Sequence, residues 1–377
     1  MPSYRTFPAP LLWTLSLLSV ILAGCSAAAP LPTPTATASP TLLPTSTPTA
    51  TPTSSTPTPI RTPPALPVLY RNDSLTPFGL PHPYIQDRCQ VLQDKWSSAN
   101  SAPGTVVMVI MFHSVTNNAV TSPSQISEYD FRRLMSRLHD DGFQAITTLQ
   151  LADFMEKNAR IPPRSVLLIV DDRKSSDYFN ILFRQYWEDW GWPVVNAWIS
   201  TDQSSADLWQ QQVDLENEGW VDHQAHGFIH NIPIGPDSTE EYILGELQKP
   251  IDVFQENFHK IPIAVIWPGG GFTPHAAEVA RELGYRLGFT INPRGPVMFN
   301  WVPLADWPDP QRPTWIPEGP VNDPLMILPR YWDTDAIVHI NEVMQVGQEA
   351  AAYAAQNKAT ELEYYDIACA AQHGPIP

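Results

Sequence analysis

Five short apolar runs alternate along the chain with segments of helical periodicity. The runs are Val106–Phe112, Val166–Val170, Val194–Ile199, Ile263–Trp267 and Leu287–Ile291. Continuous apolar runs of this length, rich in β-branched residues, predict strands that are buried on both faces, as in a parallel sheet.

The segments between these runs predict helices. Phe131, Leu134, Met135 and Leu138 recur at i, i+3, i+4 and i+7, and Asp141-Gly142 follows them as a helix end. Further helices are predicted at Tyr178–Trp190, Leu208–Leu215, Ile243–Phe258 with a bend at Pro250, Ala276–Leu283, and Asp335–Glu363. Repeated strand–helix units predict a parallel sheet with helices outside, either open or closed as a barrel. Functional groups are then expected just past the carboxyl ends of the strands.

The amino-terminal residues 1–24 predict an export signal. Arg5 precedes the apolar run Leu11–Leu22, which is shorter than the ~20 residues of a membrane-spanning helix. The sequence Leu22-Ala23-Gly24-Cys25 resembles the lipobox of bacterial lipoproteins. This resemblance implies cleavage before Cys25, acylation of its thiol, and an exported protein that is anchored to the membrane. The alternative is an ordinary signal peptide in which Cys25 is incidental.

A linker is predicted after the signal, over residues 25–67, because the segment consists mainly of Thr, Pro, Ser and Ala. Such a composition cannot bury a core and favours an extended polyproline II spacer. The folded part is then one domain over residues 68–377. The formal net charge of −17 argues against a nucleic-acid partner, because proteins that bind phosphate backbones concentrate positive charge.

The two remaining cysteines, Cys89 and Cys369, flank the predicted domain. In an oxidising compartment a disulfide between them is plausible. Two free buried thiols are an equal alternative at this point.

Asp171 and Asp172 directly follow the apolar run that ends at Val170. Two ionised carboxylates after a buried strand must be paired, solvated or bound to a metal. Because successive side chains diverge, one could bind a cation while the other contacts a water beside it. A solvated turn or a helix cap is the alternative.

His226 and His230 are spaced as His-x-x-x-His. On one helical turn, this spacing brings two imidazoles within reach of a single ion, a common zinc arrangement. The pattern also occurs by chance, and His223 nearby is either a supporting group or unrelated. With one Asp, the two His predict a three-ligand metal site that leaves a position for water.

The order of these motifs resembles the polysaccharide deacetylase (NodB-homology) family between about residues 106 and 330. The matching segments are Met111-Phe112-His113-Ser114-Val115, Ile169-Val170-Asp171-Asp172-Arg173, His226 to His230, Ile266-Trp267-Pro268-Gly269-Gly270-Gly271, and Gly284-Tyr285-Arg286-Leu287-Gly288-Phe289-Thr290. The resemblance implies a distorted (β/α) barrel of about seven strands. It further implies an enzyme that removes acetyl groups from N-acetylhexosamine polymers.

The resemblance also implies roles for individual residues. Asp171 takes the place of the general base, and Asp172, His226 and His230 take the places of ligands to a divalent metal, with zinc favoured. The metal would polarise the amide carbonyl and lower the pKa of water, and Asp171 would accept the proton. The substrate groove would include the turn at Trp267, Pro268 and Gly269, and also His113 and Arg173.

Several positions depart from the family pattern. Arg173 stands where the family has Gly, and we expect it to pair with Asp171 and lower its basicity. Gly227 stands where a Ser or Thr hydroxyl normally supports the histidine loop. The arginine that steadies the base in the third motif has no counterpart there, and Leu328-Pro329-Arg330 matches a late family segment without an assigned role. No residue clearly matches the catalytic-acid histidine, and His339 is interpreted as a residue packed on a helix face.

Three functions follow as hypotheses. The first is a surface-anchored, metal-dependent deacetylase that acts on a polysaccharide or peptidoglycan-type glycan. The second is a catalytically impaired relative that binds glycan, because of Arg173, Gly227 and the missing acid. The third is a surface spacer or adhesion protein whose barrel is a scaffold. Trp301, Trp307 and Trp315 lie in the Pro-rich segment 293–329, where they either stack on sugar rings or pack the segment onto the barrel.

Overall fold

The computed structural model describes residues 61–76, 78–230 and 232–377. The predicted signal peptide, Cys25 and most of the predicted linker lie outside the described residues. Among the residues that are described, no helix combines the length and the apolar character needed to cross a membrane.

The strands of the described chain are short, apart from one adjacent pair in the main sheet. In chain order they are β1 (Leu80–His82), β2 (Val106–Phe112), β3 (Ser114–Thr116), β4 (Gln125–Ser127), β5 (Gln144–Ala145), β6 (Arg164–Asp171), β7 (Val194–Trp198), β8 (Val221–Ala225), β9 (Ala264–Ile266), β10 (Leu287–Phe289), β11 (Val302–Leu304) and β12 (Tyr331–Trp332).

Helices follow most of the strands of the main sheet. In chain order they are α1 (Arg88–Trp96), α2 (Glu128–Asp140), α3 (Thr148–Lys157), α4 (Ser176–Leu182), α5 (Arg184–Trp190), α6 (Ala206–Glu218), α7 (Glu240–Phe258), α8 (Pro274–Glu282), α9 (Ala336–Ala368) and α10 (Ala370–His373). Short 3₁₀ turns occur at Pro268–Gly270, Gly319–Val321 and Pro324–Met326.

The main sheet is parallel and has the strand order β10-β9-β8-β7-β6-β2-β12, with β5 paired to the start of β6. The segment 328–332 contacts the strands at both ends of this sheet. Leu328 forms a parallel bridge with Phe289 of β10, and three residues later β12 pairs with Ile110 and Met111 of β2. The sheet therefore curves into the distorted (β/α) barrel that the family resemblance implies.

The apolar runs form strands because both faces of the sheet are covered. Alternate residues of β2 and β6 belong to two different hydrophobic clusters, one on each face. All seven residues of β2 are buried. Since neither face meets water, the apolar runs of these two strands show no inside–outside alternation, as the sequence predicts.

The structure differs from the predicted elements in several places, since α1, α3 and several short strands were not predicted. The predicted helix over Tyr178–Trp190 is two helices, α4 and α5, which meet at Phe183. The strand β8 was not predicted, because Val221-Asp222-His223-Gln224-Ala225 alternates apolar and polar residues. Its polar groups are nevertheless satisfied inside the fold: the Gln224 Oε1 atom accepts hydrogen bonds from the amides of Ile263 and Ala264, both at 2.9 Å.

The two ends of the described chain are joined at the outer helices. Cys89 of α1 and Cys369 at the end of α9 form a disulfide across 280 residues. The last residues of the predicted linker also contact this region, since the Arg61 guanidinium pairs with Glu363 and Asp366 of α9. The packed chain thus begins at least as early as Arg61, before the predicted boundary at residue 67.

Candidate active site and metal centre

The Asp pair lies at the carboxyl end of the central strand β6. Asp171 is its last residue, and its side chain is 2% exposed. Asp172 follows with a left-handed backbone (φ 72°), and its side chain is 39% exposed. The change of backbone direction separates the two carboxylates, so that one is held inside the barrel while the other lies nearer to solvent.

Asp171 is paired with Arg330 rather than with Arg173. The Arg330 Nη1 and Nη2 atoms donate to the two carboxylate oxygens at 2.7 and 3.0 Å. Arg330 also donates through Nε to the carbonyl oxygen of Thr290 at 2.7 Å. Burial opposes ionisation of Asp171, but the charges of Arg330 and of the nearby imidazoles outweigh it, and the pKa of the carboxyl is held below its usual range.

Arg173 is exposed, and its guanidinium lies 3.4 Å from the Ser204 hydroxyl. The prediction that Arg173 pairs with Asp171 is therefore wrong. The physical reason is direction: the turn at Asp172 sends the next side chain outward, whereas Arg330 enters from the segment that closes the barrel. This role of Arg330 could not be assigned from the sequence.

His113 lies beside the Asp pair, one residue past the end of β2. Its Nε2 atom is 3.6 Å from the Asp171 Oδ2 atom, and its side chain is 22% exposed. The imidazole stacks on the Trp332 indole with 5.3 Å between ring centroids. Burial lowers the pKa of His113, and the charge of Asp171 only partly offsets this effect. His113 thus lies in the site, beside the Asp171 carboxylate, and part of its side chain is exposed to solvent.

His226 and His230 lie on a loop after β8, so the prediction of a helical turn is wrong. Gly227 and His230 both have left-handed backbones, with φ of 73° and 56°. The loop also continues the sheet contacts, because the His226 amide donates to the Trp198 carbonyl oxygen at 3.0 Å. A helix here would forfeit this bond, and a strand-end loop places the first histidine at the same edge of the sheet as Asp172.

The structure brings the three predicted ligands together. The ligand atoms of Asp172, His226 and His230 all lie within 4.8 Å of one another. The His226 Nδ1 atom contacts the Ile266 carbonyl oxygen at 2.8 Å, which leaves its Nε2 atom, 3.9 Å from Asp172 Oδ1, with a lone pair toward the group. The buried Nε2 atom of His230 has no hydrogen-bond partner among the described residues. This donor set fits a divalent ion such as zinc.

The predicted groove residues are placed differently. The Trp267 indole is fully buried and donates through Nε1 to the Met326 carbonyl oxygen at 2.7 Å. Pro268 is buried as well, and Gly269 is exposed. Neither side chain reaches the surface, so any contact of Trp267 and Pro268 with substrate would be through the backbone of the turn, and their assignment to the groove stays a prediction. The apolar strand before them carries them into the core.

The remaining histidines and tryptophans considered in the sequence analysis lie away from the group of Asp172, His226 and His230, and some of them are buried in the core. His223 is buried between Glu216 and Gln212, with ring nitrogens 2.7 and 3.0 Å from their oxygens, so it is a satisfied core histidine. His339 contacts Glu342 on α9, as expected for a helix face. Trp301 is buried and donates to the Tyr70 carbonyl oxygen. The remaining two indoles are more open: Trp307 is 50% exposed, and Trp315 lies under the Arg312 guanidinium.

Asp333 is a buried acid that the sequence reasoning missed. It follows β12, its amide donates to the Met111 carbonyl oxygen at 3.1 Å, and it is 1% exposed. Neither carboxylate oxygen has a hydrogen-bond partner among the described residues. Burial, with a smaller contribution from the charge of Asp171, raises the pKa of Asp333 to about 8. Nothing in the spacing of the sequence distinguishes it from an ordinary acid in a turn.

No protein-family model matches the chain. A Bacillus subtilis (strain 168) protein named "Putative polysaccharide deacetylase YxkH" is 20% identical to it over 194 residues. The chain resembles the polysaccharide deacetylases. This comparison confirms the resemblance that the sequence motifs suggest. The matched region covers 49% of this chain and 64% of that relative, which is less than two thirds of the relative's length.

Two solved structures are also similar to the chain. One is the Streptococcus pyogenes deacetylase PplD in complex with acetate, with 18% identity, a TM-score of 0.49, and coverage of 64% of this chain and 99% of that chain. The other is IcaB from Ammonifex degensii, with 17% identity, a TM-score of 0.46, and coverage of 67% and 100%.

Proposed function

We propose that this protein is a metal-dependent hydrolase that removes N-acetyl groups from a polysaccharide containing N-acetylhexosamine. The observation that carries this proposal is the geometry at the strand ends. An ionised carboxylate, Asp171, adjoins a group of three converging ligands, Asp172, His226 and His230. A base beside an open metal site is the arrangement that hydrolysis of an amide requires.

Asp172, His226 and His230 would hold the ion. When bound, a divalent metal supplies Lewis acidity to a carbonyl oxygen and lowers the pKa of water. Two nitrogen ligands and one oxygen ligand favour zinc. His226 is oriented for this task, because its Nδ1 atom is occupied by the Ile266 carbonyl oxygen.

Asp171 would accept a proton from the attacking water as the water oxygen bonds to the amide carbon. Arg330 fixes the orientation of this carboxylate through two hydrogen bonds. The carbon–nitrogen bond then breaks, and the nitrogen needs a proton to leave as an amine. His113 would donate it from its protonated form, which acidic pH favours because burial lowers the pKa of the imidazole; the ring adjoins Asp171 and is partly exposed. The products are acetate and a glucosamine-type amine.

The departures that suggested an impaired, glycan-binding relative weigh less once the side chains are placed. Arg173 is exposed and does not contact Asp171. A buried arginine pairs with the base from another segment, and His113 offers an acid. The hydrolase proposal therefore has the better support.

The proposal places the protein outside the cytoplasm. Residues 1–24 would direct export, an acylated Cys25 would anchor the chain to the membrane, and the Pro/Thr-rich segment would hold the barrel away from the surface. The glycan substrate would then be a polysaccharide or peptidoglycan-type polymer. These segments lie outside the described residues, so this part of the proposal comes from the sequence.

Acetate release from chitooligosaccharides, poly-N-acetylglucosamine and peptidoglycan by the purified, zinc-loaded protein tests the proposal. The wild type should release acetate from at least one of them. Asp171→Asn should abolish release and retain zinc, whereas Asp172→Ala should lose both. A protein that binds no stoichiometric divalent metal, or that keeps its turnover in Asp171→Asn, would overturn the assigned roles.

A further inference from the structure

The loop that carries the two histidines is bound by a buried carboxylate from a different element. Glu246 lies on α7 and is 1% exposed. Its two oxygens accept hydrogen bonds from three consecutive backbone amides, those of Phe228, Ile229 and His230, at 3.1, 2.9 and 3.1 Å. Converging amides of this kind form an anion-binding concavity, and hydrogen bonds to a charged group are stronger than neutral ones.

Gly227 makes room for this carboxylate. A Cβ atom at this position would overlap the Glu246 Oε2 atom and would lie 2.8 Å from the Pro268 Cγ atom. The left-handed backbone of Gly227 (φ 73°) adds a second cost for any other residue. Glu246 thus occupies the volume that a side chain at position 227 would need. With Glu246 in this position, only glycine fits at position 227.

The opposite side of the loop is attached to the sheet. The His226 amide donates to the Trp198 carbonyl oxygen, and the Ser200 amide donates to the Gly227 carbonyl oxygen at 3.1 Å. The first half of the loop is therefore fixed by β7 and the residues after it. Its second half, with His230, is fixed by Glu246. His230 needs such support because its own backbone is left-handed (φ 56°).

We propose that Glu246 is a positioning residue for the metal centre, which sets the conformation of residues 228–230 and so aims His230 at the ion. Gly227 is its necessary partner. The inference rests on the proposed function, since it concerns the affinity of the same site. It accounts for the absence of a hydroxyl after the first histidine: the support comes from a carboxylate on α7 instead.

Zinc titration of the metal-free protein against a chromophoric chelator measures the effect. Removal of a group that supports metal ligands typically costs about 10- to 100-fold in affinity. Glu246→Ala should weaken zinc binding by this factor. Glu246→Gln should weaken it less, because its amide oxygen can still accept from one or two of the amides. Leu247→Ala is the matched control: it removes a fully buried side chain from the same helix, so it should lower the Tm and leave zinc affinity unchanged.

Two further measurements separate positioning from a simple loss of negative charge. Cobalt(II) bound to Glu246→Ala should show a visible spectrum different from the wild type, because the His230 imidazole is displaced. Gly227→Ala should weaken zinc binding strongly in the wild type and less in the Glu246→Ala background, since the carboxylate that the new methyl group meets is gone. An unchanged spectrum together with additive substitutions would contradict the proposal.

The outcomes also separate this inference from the proposed function. If the wild type binds no zinc, the proposed function fails and the positioning role fails with it. If the wild type binds zinc and releases acetate, while Glu246→Ala binds zinc with wild-type affinity, the function stands and the role of Glu246 is refuted.

Discussion

Arg330 and Asp171 form a bidentate ion pair inside the barrel, although 159 residues separate them in the sequence. Both side chains are buried, with 0% and 2% of their surface exposed. The pair exists because the segment 328–332 closes the barrel between β10 and β2, and the strand that ends in Asp171 is the neighbour of β2.

The ion pair determines both the orientation and the charge state of the Asp171 carboxylate. Two parallel hydrogen bonds fix the plane of the carboxylate. The guanidinium also holds the pKa of Asp171 below its usual range in spite of burial. Asp171 is therefore ionised at neutral pH, but it is a weaker base than an unpaired carboxylate would be in the same place.

Arg330→Met tests this relationship through the pH dependence of kcat/KM. Without the guanidinium, burial dominates and the pKa of Asp171 rises. A base must be ionised to act, so the acidic limb of the profile should move to higher pH. Loss of orientation should also lower kcat/KM by about 100-fold near neutral pH. Rates of acetate release over a pH series measure both effects.

A second buried ion pair supplies the control for this substitution. Arg294 and Glu318 are each 1% exposed, with Nε and Oε2 3.1 Å apart. Arg294→Met should destabilise the protein by a similar amount, about 3–5 kcal/mol, while leaving the acidic limb in place. If Arg330→Met leaves the limb where it is, or Arg294→Met moves it equally, the pair does not tune the base.

His113→Gln tests the proposed proton donor. Loss of a general acid typically costs about 10²- to 10⁴-fold in rate, and we expect a fall of that size in kcat. The zinc content should not change, because His113 is not among the three ligands. The descending limb of the profile on its alkaline side, here called the alkaline limb, should disappear. Deprotonation of this imidazole would set that limb below the ordinary pKa of histidine, because burial lowers the pKa of His113. Acetate release with a substrate that has a good leaving group should be less affected.

His139 provides a matched comparison, because its imidazole also stacks on an indole, that of Trp190, at 4.1 Å. It lies on α2, and its side chain is 40% exposed. His139→Gln should leave kcat and the alkaline limb as in the wild type. A His113→Gln enzyme with a normal alkaline limb would assign the acid to another group.

Much of the fold could be predicted because burial leaves a local signature. β2 is apolar throughout and β6 is apolar from Val166 to Val170, since both faces of the sheet are covered there, and α2 shows the spacing of a helix with one buried face. β8 escaped prediction because its interior positions are filled by His223 and Gln224, whose hydrogen-bond partners lie outside the strand, on α6 for His223 and 39 residues away at Ile263 for Gln224. A polar residue that is satisfied only by the tertiary fold looks like an exposed one in the sequence.

The candidate site residues could be predicted only where a local sequence pattern marks them. Asp171 and Asp172 are contiguous with a strand, and a short spacing relates the two histidines, so local pattern identifies all four. Arg330 is 159 residues from its partner Asp171, and Glu246 is at least 16 residues from the amides that it binds. Neither residue belongs to a sequence motif with a recognised role. The His-x-x-x-His spacing suggested a helix, but left-handed backbone at Gly227 and His230 gives the same convergence in a loop.

Asp333→Asn should stabilise the protein, and more so at higher pH. The folded pKa of Asp333 is raised to about 8 by burial, whereas an Asp in an unfolded chain titrates near 3.9. Between these values the unfolded state releases a proton that the folded state keeps. The free energy of unfolding of the wild type therefore falls by up to about 1.4 kcal/mol per pH unit from this group. Asn removes that slope.

Urea unfolding at several pH values between about 5 and 8 measures the difference between Asp333→Asn and the wild type. The difference should widen steadily toward the alkaline end. Asp140→Asn, at a carboxylate whose side chain is 78% exposed, should give a small difference that does not depend on pH. A constant difference for Asp333→Asn as well would show that its carboxyl is ionised in the folded protein.

The Cys89–Cys369 disulfide should contribute strongly to stability because of the length of chain that it closes. The bridge spans 280 residues, and restriction of so long a loop in the unfolded state stabilises the fold by about 3–5 kcal/mol. Replacement of both cysteines by Ala should lower the urea midpoint accordingly. Dithiothreitol should lower the wild-type midpoint to the same value and leave the double variant unaffected.

The double variant should lose stability without losing the function of the proposed active site. The bridge joins α1 to the end of α9, and neither helix contributes to the group of Asp172, His226 and His230 or carries Asp171. Zinc affinity and kcat under native conditions should therefore remain at wild-type values. A double variant that keeps the wild-type midpoint would mean that contacts such as the Trp96–Glu361 hydrogen bond, at 2.7 Å, hold these helices together without the covalent bond.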